Sequence, residues 1–135
     1  MSGFEIDADI DSRPYFDGLA AGEVLLQRCA ACERHQFPPR AFCTVCGRRD
    51  LPFVEASGRG RIYAMSVMHR ASEESFAGVT PYAVALVDLD EGVRVMARGS
   101  VPPAELMTGM DVLVSPEPEP LVHPTLVFRP AEERP

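Results

Sequence analysis

Two Cys-x-x-Cys pairs, Cys29/Cys32 and Cys43/Cys46, stand ten residues apart in front of a strand-rich stretch. That spacing is what a tetrahedral zinc ribbon requires. Each pair turns tightly enough for two thiolates to converge, and the chain between them brings the pairs together around one Zn²⁺. The competing use of the same residues is two disulfides, which need an oxidising compartment. The opening residues, Met1 to Asp7, are acidic and lack a basic start followed by an apolar run, so the expectation is a reduced, cytoplasmic chain. A thioredoxin-type redox centre would use a single such pair at a helix start. Four thiolates close the coordination sphere and leave no position for water or substrate, so the metal is expected to fold the chain and not to catalyse. His35 is the nearby competing ligand and reads as a surface or hairpin residue.

At 135 residues and 46% apolar content, the chain is one or two small domains with a real core and no transmembrane run. The net charge is −7. It is unevenly spread: between residues 28 and 61, Arg28, Arg34, Arg40, Arg48, Arg49, Arg59 and Arg61 face only Glu33, Asp50 and Glu55. A basic ribbon on an acidic body directs any anion to the metal module, where guanidinium groups grip phosphate in bidentate fashion. A solvated arginine-rich surface is the alternative reading. Every basic side chain other than histidine is arginine; Lys and Asn are absent, a compositional trait that fits a GC-rich genome.

The chain divides into an acidic N-terminus with a short helix (residues 1–22), a zinc ribbon (23–54), a β-barrel (55–130) and a tail (131–135). The helix is expected over Pro14 to Gly22, carrying the aromatic pair Tyr15 and Phe16 and stopped by glycine. Gly22 to Arg28 alternates as a strand entering the first knuckle, and Pro38-Pro39-Arg40 supplies the return to the second. Ser57-Gly58-Arg59-Gly60 reads as a hinge-like turn. Five strands follow: Arg61 to His69, Tyr82 to Leu89, Val93 to Arg98, Gly109 to Val114 and Thr125 to Phe128. Asp90-Glu91-Gly92 turns between the second and third, Pro102 to Met107 offers a short helix between the third and fourth, and Pro116 to Pro124 is an extended loop. Five strands with a helix in that place fit an OB-type barrel, with a generic five-stranded barrel or sandwich as the alternative.

In this order the residues resemble a known family over about Pro14 to Phe128. Gly22 to Cys32, Phe37-Pro38-Pro39-Arg40 and Cys43 to Gly47 are similar to the rubredoxin-like zinc ribbon of the acyl-CoA-associated zinc-ribbon plus OB-fold proteins, a former domain of unknown function. Ser57 to Tyr63, Pro81 to Val87, Asp90 to Arg94 and Gly109 to Val112 resemble its OB half. Phe53 stands where members often have tryptophan. The resemblance implies a mainly β chain with an N-terminal helix, a ribbon and a five-stranded OB barrel. It also implies a non-catalytic accessory subunit that pairs with a thiolase-like enzyme, a thiolase-like aldolase or a hydratase and helps hold or transfer a CoA ester.

The residues agree on the negative point: no Ser-His-Asp set, spare cysteine, phosphate loop or motif of paired carboxylates is evident. His69 and His123 are isolated and read as surface or barrel-end residues. The expected metal ligands are Cys29, Cys32, Cys43 and Cys46, and the expected phosphate contacts to a shared acyl-CoA are Arg40, Arg48, Arg49, Arg59 and Arg61. Tyr15, Phe16 and Phe37 are the expected docking anchors. Ile62, Met65 and Val84 are candidates for a barrel mouth that takes the acyl arm, with ordinary core packing as the alternative. Both halves also occur in proteins that bind single-stranded nucleic acid, but an acidic barrel without Trp and with 7% aromatics argues against that class. A scaffold with no ligand at all stays open.

Overall fold

A helix with an inward aromatic face, a three-stranded sheet and a closed five-stranded barrel follow one another along the chain. The computed structural model describes residues 11–70, 80–117 and 125–131. The expected loop at 118–124, His123, residues 1–10 and most of the tail lie outside the described residues.

Helix α1 spans Arg13–Ala20 with proline in its first turn, where the missing N–H costs nothing. Gly22 ends it at a φ of 86°, and the chain folds back through Glu23 N–H donating to Gly18 C=O at 2.7 Å. Tyr15 and Leu19 face inward. A Cβ at Gly18 would stand 2.8 Å from Leu25 Cδ1, so glycine is what lets the helix lie directly on the next strand.

That strand, β1 (Leu25–Arg28), is central in an antiparallel sheet between β2 (His35–Gln36) and β3 (Phe53–Glu55). β3 closes the sheet by pairing Phe53 to Glu55 with Gln27 to Leu25. Phe53 packs partly buried against the core, which keeps the aromatic role expected of it.

The barrel runs β4 (Arg59–Met68), β5 (Tyr82–Leu89), β6 (Arg94–Gly99), β7 (Asp111–Pro116) and β8 (Leu126–Pro130). It closes in the order β4-β5-β6-β8-β7, antiparallel throughout except for β6 with β8. This Greek-key closure is that of an OB fold. Period-two alternation is visible in β5 and β6, whose Ala83, Ala85, Val87, Val95 and Ala97 turn inward around Phe128, Ile62 and Val112. The expected helix after the third barrel strand is a single 3-10 turn at Pro103–Glu105, and Leu106 behind it is buried.

The hinge expected at residues 57–60 is instead the entry of β4 into the barrel wall. Gly58, at φ 79°, accepts a 2.7 Å hydrogen bond from Val114 N–H, and Gly60 lies within the strand. A Cβ at Gly60 would stand 2.7 Å from both Asp88 O and Val87 Cγ1. Gly60→Ala is therefore expected to cost about 1–3 kcal/mol, because the obstructing atom is a backbone carbonyl in a hydrogen-bonded ladder. A denaturant midpoint unchanged from the parent would show that β4 and β5 separate freely at this point.

Candidate metal centre and adjoining cavity

The two knuckles are built alike. Cys29 N–H donates to Arg34 C=O at 2.9 Å and Glu33 N–H donates to Cys29 C=O at 2.8 Å; in the second, Cys43 N–H donates to Arg48 C=O at 2.7 Å and Gly47 N–H to Cys43 C=O at 2.9 Å. Each turn needs a left-handed residue after its second cysteine, supplied by Glu33 at φ 65° and Gly47 at φ 79°. Backbone N–H groups are aimed at sulfur: Cys32 N–H at Cys29 Sγ, and Val45 and Cys46 N–H at Cys43 Sγ.

The four sulfurs lie within 4.8 Å of one another. Cys29 and Cys46 Sγ are 3.5 Å apart and Cys32 and Cys43 Sγ 3.6 Å apart. Zinc–thiolate bonds of about 2.3 Å in a tetrahedron place sulfurs about 3.8 Å apart, so the cage has the right size. All four cysteines are free thiols at these separations, the arrangement that one shared metal cage requires. Hydrogen bonds from the Cys46 and Val45 N–H groups bring the Cys43 thiol down to about 6, and the Cys32 N–H lowers Cys29 in the same way. At Cys46 the Arg48 N–H pulls downward, but burial and the three neighbouring sulfurs outweigh it and push the thiol up to about 11. The donor set thus prefers a shared positive charge, and its chemistry fits a closed, structural zinc site. His35 lies in β2 opposite Arg28, outside the four-sulfur group.

Two buried glutamines absent from the expected site residues hold this geometry. Gln27 Oε1 accepts from Arg40 N–H and from Gln36 Nε2, each at 2.8 Å, while Gln27 Nε2 donates to Arg40 C=O at 2.8 Å. Gln36 Nε2 also donates to Phe42 C=O at 3.2 Å, and its Oε1 accepts from Thr44 N–H at 3.0 Å. The loop between the knuckles is thereby laced onto β1 and β2. A Gln two residues before the first cysteine, at a strand position turned inward, is the one signal that could have raised it.

The structure divides the five candidate arginines. Arg40, Arg48 and Arg49 are exposed on the ribbon, whereas Arg59 and Arg61 point outward from β4. Arg61 is engaged with Asp111, Nε to Oδ1 at 3.2 Å, and Arg28 with Glu33 at 3.0 Å. Both pairs are solvent-facing, so they orient side chains more than they stabilise the fold. Among the described residues the ribbon trio makes no ion pair.

Of the expected docking anchors, Tyr15 is buried and Phe16 and Phe37 are half-buried. Tyr15 is only 6% exposed, and burial pushes its phenol up to about 12. Its ring meets Phe16 and Phe37 edge-on, with centroids 5.2 and 5.0 Å apart. With Leu19, these aromatics form one wall of a cavity of about 390 Å³, and the outer face of the barrel forms the other through Tyr82, Val84, Met96 and Arg98. Among the described residues this apolar space lies between helix, ribbon loop and barrel. Ile62 is core, Met65 packs partly buried against it, and only Val84 of that trio lines the cavity.

Comparison with known proteins places this architecture. Residues 16–52 match the family model "ChsH2, rubredoxin-like zinc ribbon domain", and residues 53–115 match "ChsH2, C-terminal OB-fold domain". A "Probable enoyl-CoA hydratase alpha subunit" of Thermomonospora curvata is 37% identical over 90% of this chain, which covers 38% of that protein. A "DUF35 domain-containing scaffold protein" of Methanocaldococcus jannaschii is 33% identical over 63% of this chain and 61% of its own. The chain thus spans between about two fifths and three fifths of these relatives' lengths. The solved structure described as "Ltp2-ChsH2(DUF35) aldolase" superposes with a TM-score of 0.80 at 34% identity, covering 93% of this chain and 98% of that one. No helix of the described residues is long and apolar enough to cross a membrane. The chain belongs to the ChsH2-type (DUF35) zinc-ribbon plus OB-fold family.

Proposed function

We propose that this chain is a non-catalytic accessory subunit of an acyl-CoA-processing enzyme of the thiolase superfamily, including thiolase-like aldolases, or of a hydratase. The match along nearly its whole length to a chain of an "Ltp2-ChsH2(DUF35) aldolase" carries the reading. The site supports it: four cysteines are gathered into one closed cage, and the described histidines His35 and His69 lie outside any catalytic set. Zn²⁺ held by Cys29, Cys32, Cys43 and Cys46 fixes the ribbon, and the exposed Arg40, Arg48 and Arg49 offer guanidinium groups to the phosphates of a CoA ester shared with the partner. Arg59 is a further candidate on β4, and Arg61 would have to leave Asp111 to take part.

Affinity purification of the tagged chain from its own host, with zinc quantified in the same eluate, tests this. A thiolase-like or hydratase-like enzyme in fixed ratio, with one zinc per chain, is the expected result. Nucleic acid, or partners lost after nuclease treatment, would move the protein to the single-strand-binding class. Replacing Arg48 and Arg49 together with Ala is expected to weaken CoA affinity of the complex about tenfold, in line with the loss of two charge-assisted phosphate contacts. Unchanged affinity removes both arginines from the CoA path.

A further inference from the structure

The cavity between α1 and the barrel has a composition that specifies its ligand. Its volume of about 390 Å³ falls in the range of small-molecule sites and holds about a dozen non-hydrogen atoms at roughly 30 Å³ each. The space opens to solvent, so a ligand can enter it. Phe16, Leu19, Phe37, Val84 and Leu126 make the lining apolar, and Met96, 66% exposed, stands at the opening.

Among the described residues, one charged group reaches this lining. Arg98 sits on β6 directly across from Val84, and its Nη2 donates to the Glu117 carboxylate. Their side chains are only 18% and 14% exposed. Glu117 neutralises the guanidinium, so the pair offers no net charge to a carboxylate or phosphate entering the cavity. A guanidinium nevertheless carries five N–H donors, and among the described residues Glu117 accepts through Nη2 alone. An apolar space with a neutralised donor at its wall suits a hydrocarbon or aryl group joined to a neutral acceptor, a thioester or amide carbonyl, in preference to a free acid.

We propose that this cavity holds the acyl group and thioester carbonyl of the CoA ester, with Arg98 donating to that carbonyl. The proposal rests on the acyl-CoA reading above and gives the acyl end a place distinct from the ribbon arginines, which would meet only the phosphates.

The test uses octanoyl-pantetheine, which carries the acyl thioester without nucleotide phosphates, titrated calorimetrically into the zinc-loaded full chain and into its co-purified complex. Saturable one-to-one binding is expected, with octanoate at least tenfold weaker. Val84→Phe narrows the cavity and Met96→Trp obstructs its opening; each is expected to weaken octanoyl-pantetheine at least tenfold while zinc content and melting temperature stay at parent values. Glu117→Gln is expected to shift preference towards octanoate, because the guanidinium charge is then uncompensated. Absence of saturable octanoyl-pantetheine binding to both chain and complex overturns the proposal, as does binding unaffected by both cavity variants. CoA binding that persists in either case leaves the ribbon arginines in place and overturns only the cavity. If the probe fails to bind and the two variants abolish partner binding, the cavity receives a side chain of the partner and the proposal is likewise overturned.

Discussion

Replacing Cys43 with Ser is expected to reduce bound zinc from one per chain to near zero and to unfold the ribbon while the barrel strands keep their pairing. Cys43 is buried, it receives the N–H groups of Val45 and Cys46, and its thiol sits at about 6, so it is an anionic sulfur ready for a cation at neutral pH. A serine hydroxyl in that place stays protonated and offers no thiolate. Structural zinc sites of this kind contribute on the order of 10 kcal/mol to folding, which rivals the whole stability of a small domain. The ribbon has little to set against that loss, because β2 and β3 are two and three residues long. Most of the core around Phe128, Ile62 and Val87 comes from barrel strands, with Tyr15, Leu19, Val24 and Leu26 joining the same cluster from the helix and ribbon side. Metal analysis together with hydrogen exchange separates the two halves: protection should vanish in β1, β2 and β3 and persist in β5 and β6. Chelation of the parent protein should give the same pattern. One zinc per chain and an unchanged exchange map in the variant would mean that Cys43 is not a ligand. Loss of the proposed partner enzyme in the same variant would place the docking surface on the ribbon or on α1, which packs against β1 through Gly18.

The knuckles were legible in the sequence because metal ligands are local. Cys-x-x-Cys states its own turn, and the only long-range fact needed is that the two turns meet. Barrel strands were legible for a related reason: Tyr82–Leu89 and Arg94–Gly99 alternate inward and outward with period two, so each announces its buried face independently. Gly58 and Gly60 misled because a glycine that permits close approach and one that permits a free turn look the same in a string; only the Val114 and Asp88 carbonyls across the sheet distinguish them. The sequence offers Tyr15, Phe16 and Phe37 as docking anchors, but an aromatic pair on a short helix does not say what lies opposite. The opposing wall, from Val84 to Leu126, is supplied by strands far along the chain. Arg61 meets Asp111, its neighbour on β7, in a pairing that no local pattern announces. Each of these features is a non-local contact, and local periodicity carries no record of those.

The glutamine pair lies between these cases and sets the second large expectation. Gln27 is 4% and Gln36 9% exposed, and together they satisfy backbone groups of the loop that presents Cys43. The orientation of the Gln27 amide is fixed by chemistry, since Arg40 N–H only donates and Arg40 C=O only accepts. Gln27→Met keeps nearly the same volume but strands that N–H, that C=O and one donor of Gln36. At about 1–3 kcal/mol for each buried group left without a partner, and with water able to reach some of them at the exposed Arg40, a loss of about 3 kcal/mol is expected. The loss should fall on the holo form, so zinc affinity measured by competition with a chelator should drop by about a hundredfold, since 1.4 kcal/mol is a tenfold change. Gln36→Met removes the Phe42 and Thr44 contacts and should weaken zinc in the same direction. Because the two amides bond each other, the double variant should lose less than the sum of the singles. Additive losses would show two independent tethers, and a Gln27→Met protein within 1 kcal/mol of the parent would show that the thiolates position the loop without help. A double variant that loses less than the sum makes the ribbon a single cooperative unit in which metal, loop and sheet are fixed together, which the proposed accessory role requires if its arginines are to meet a phosphate chain in one orientation.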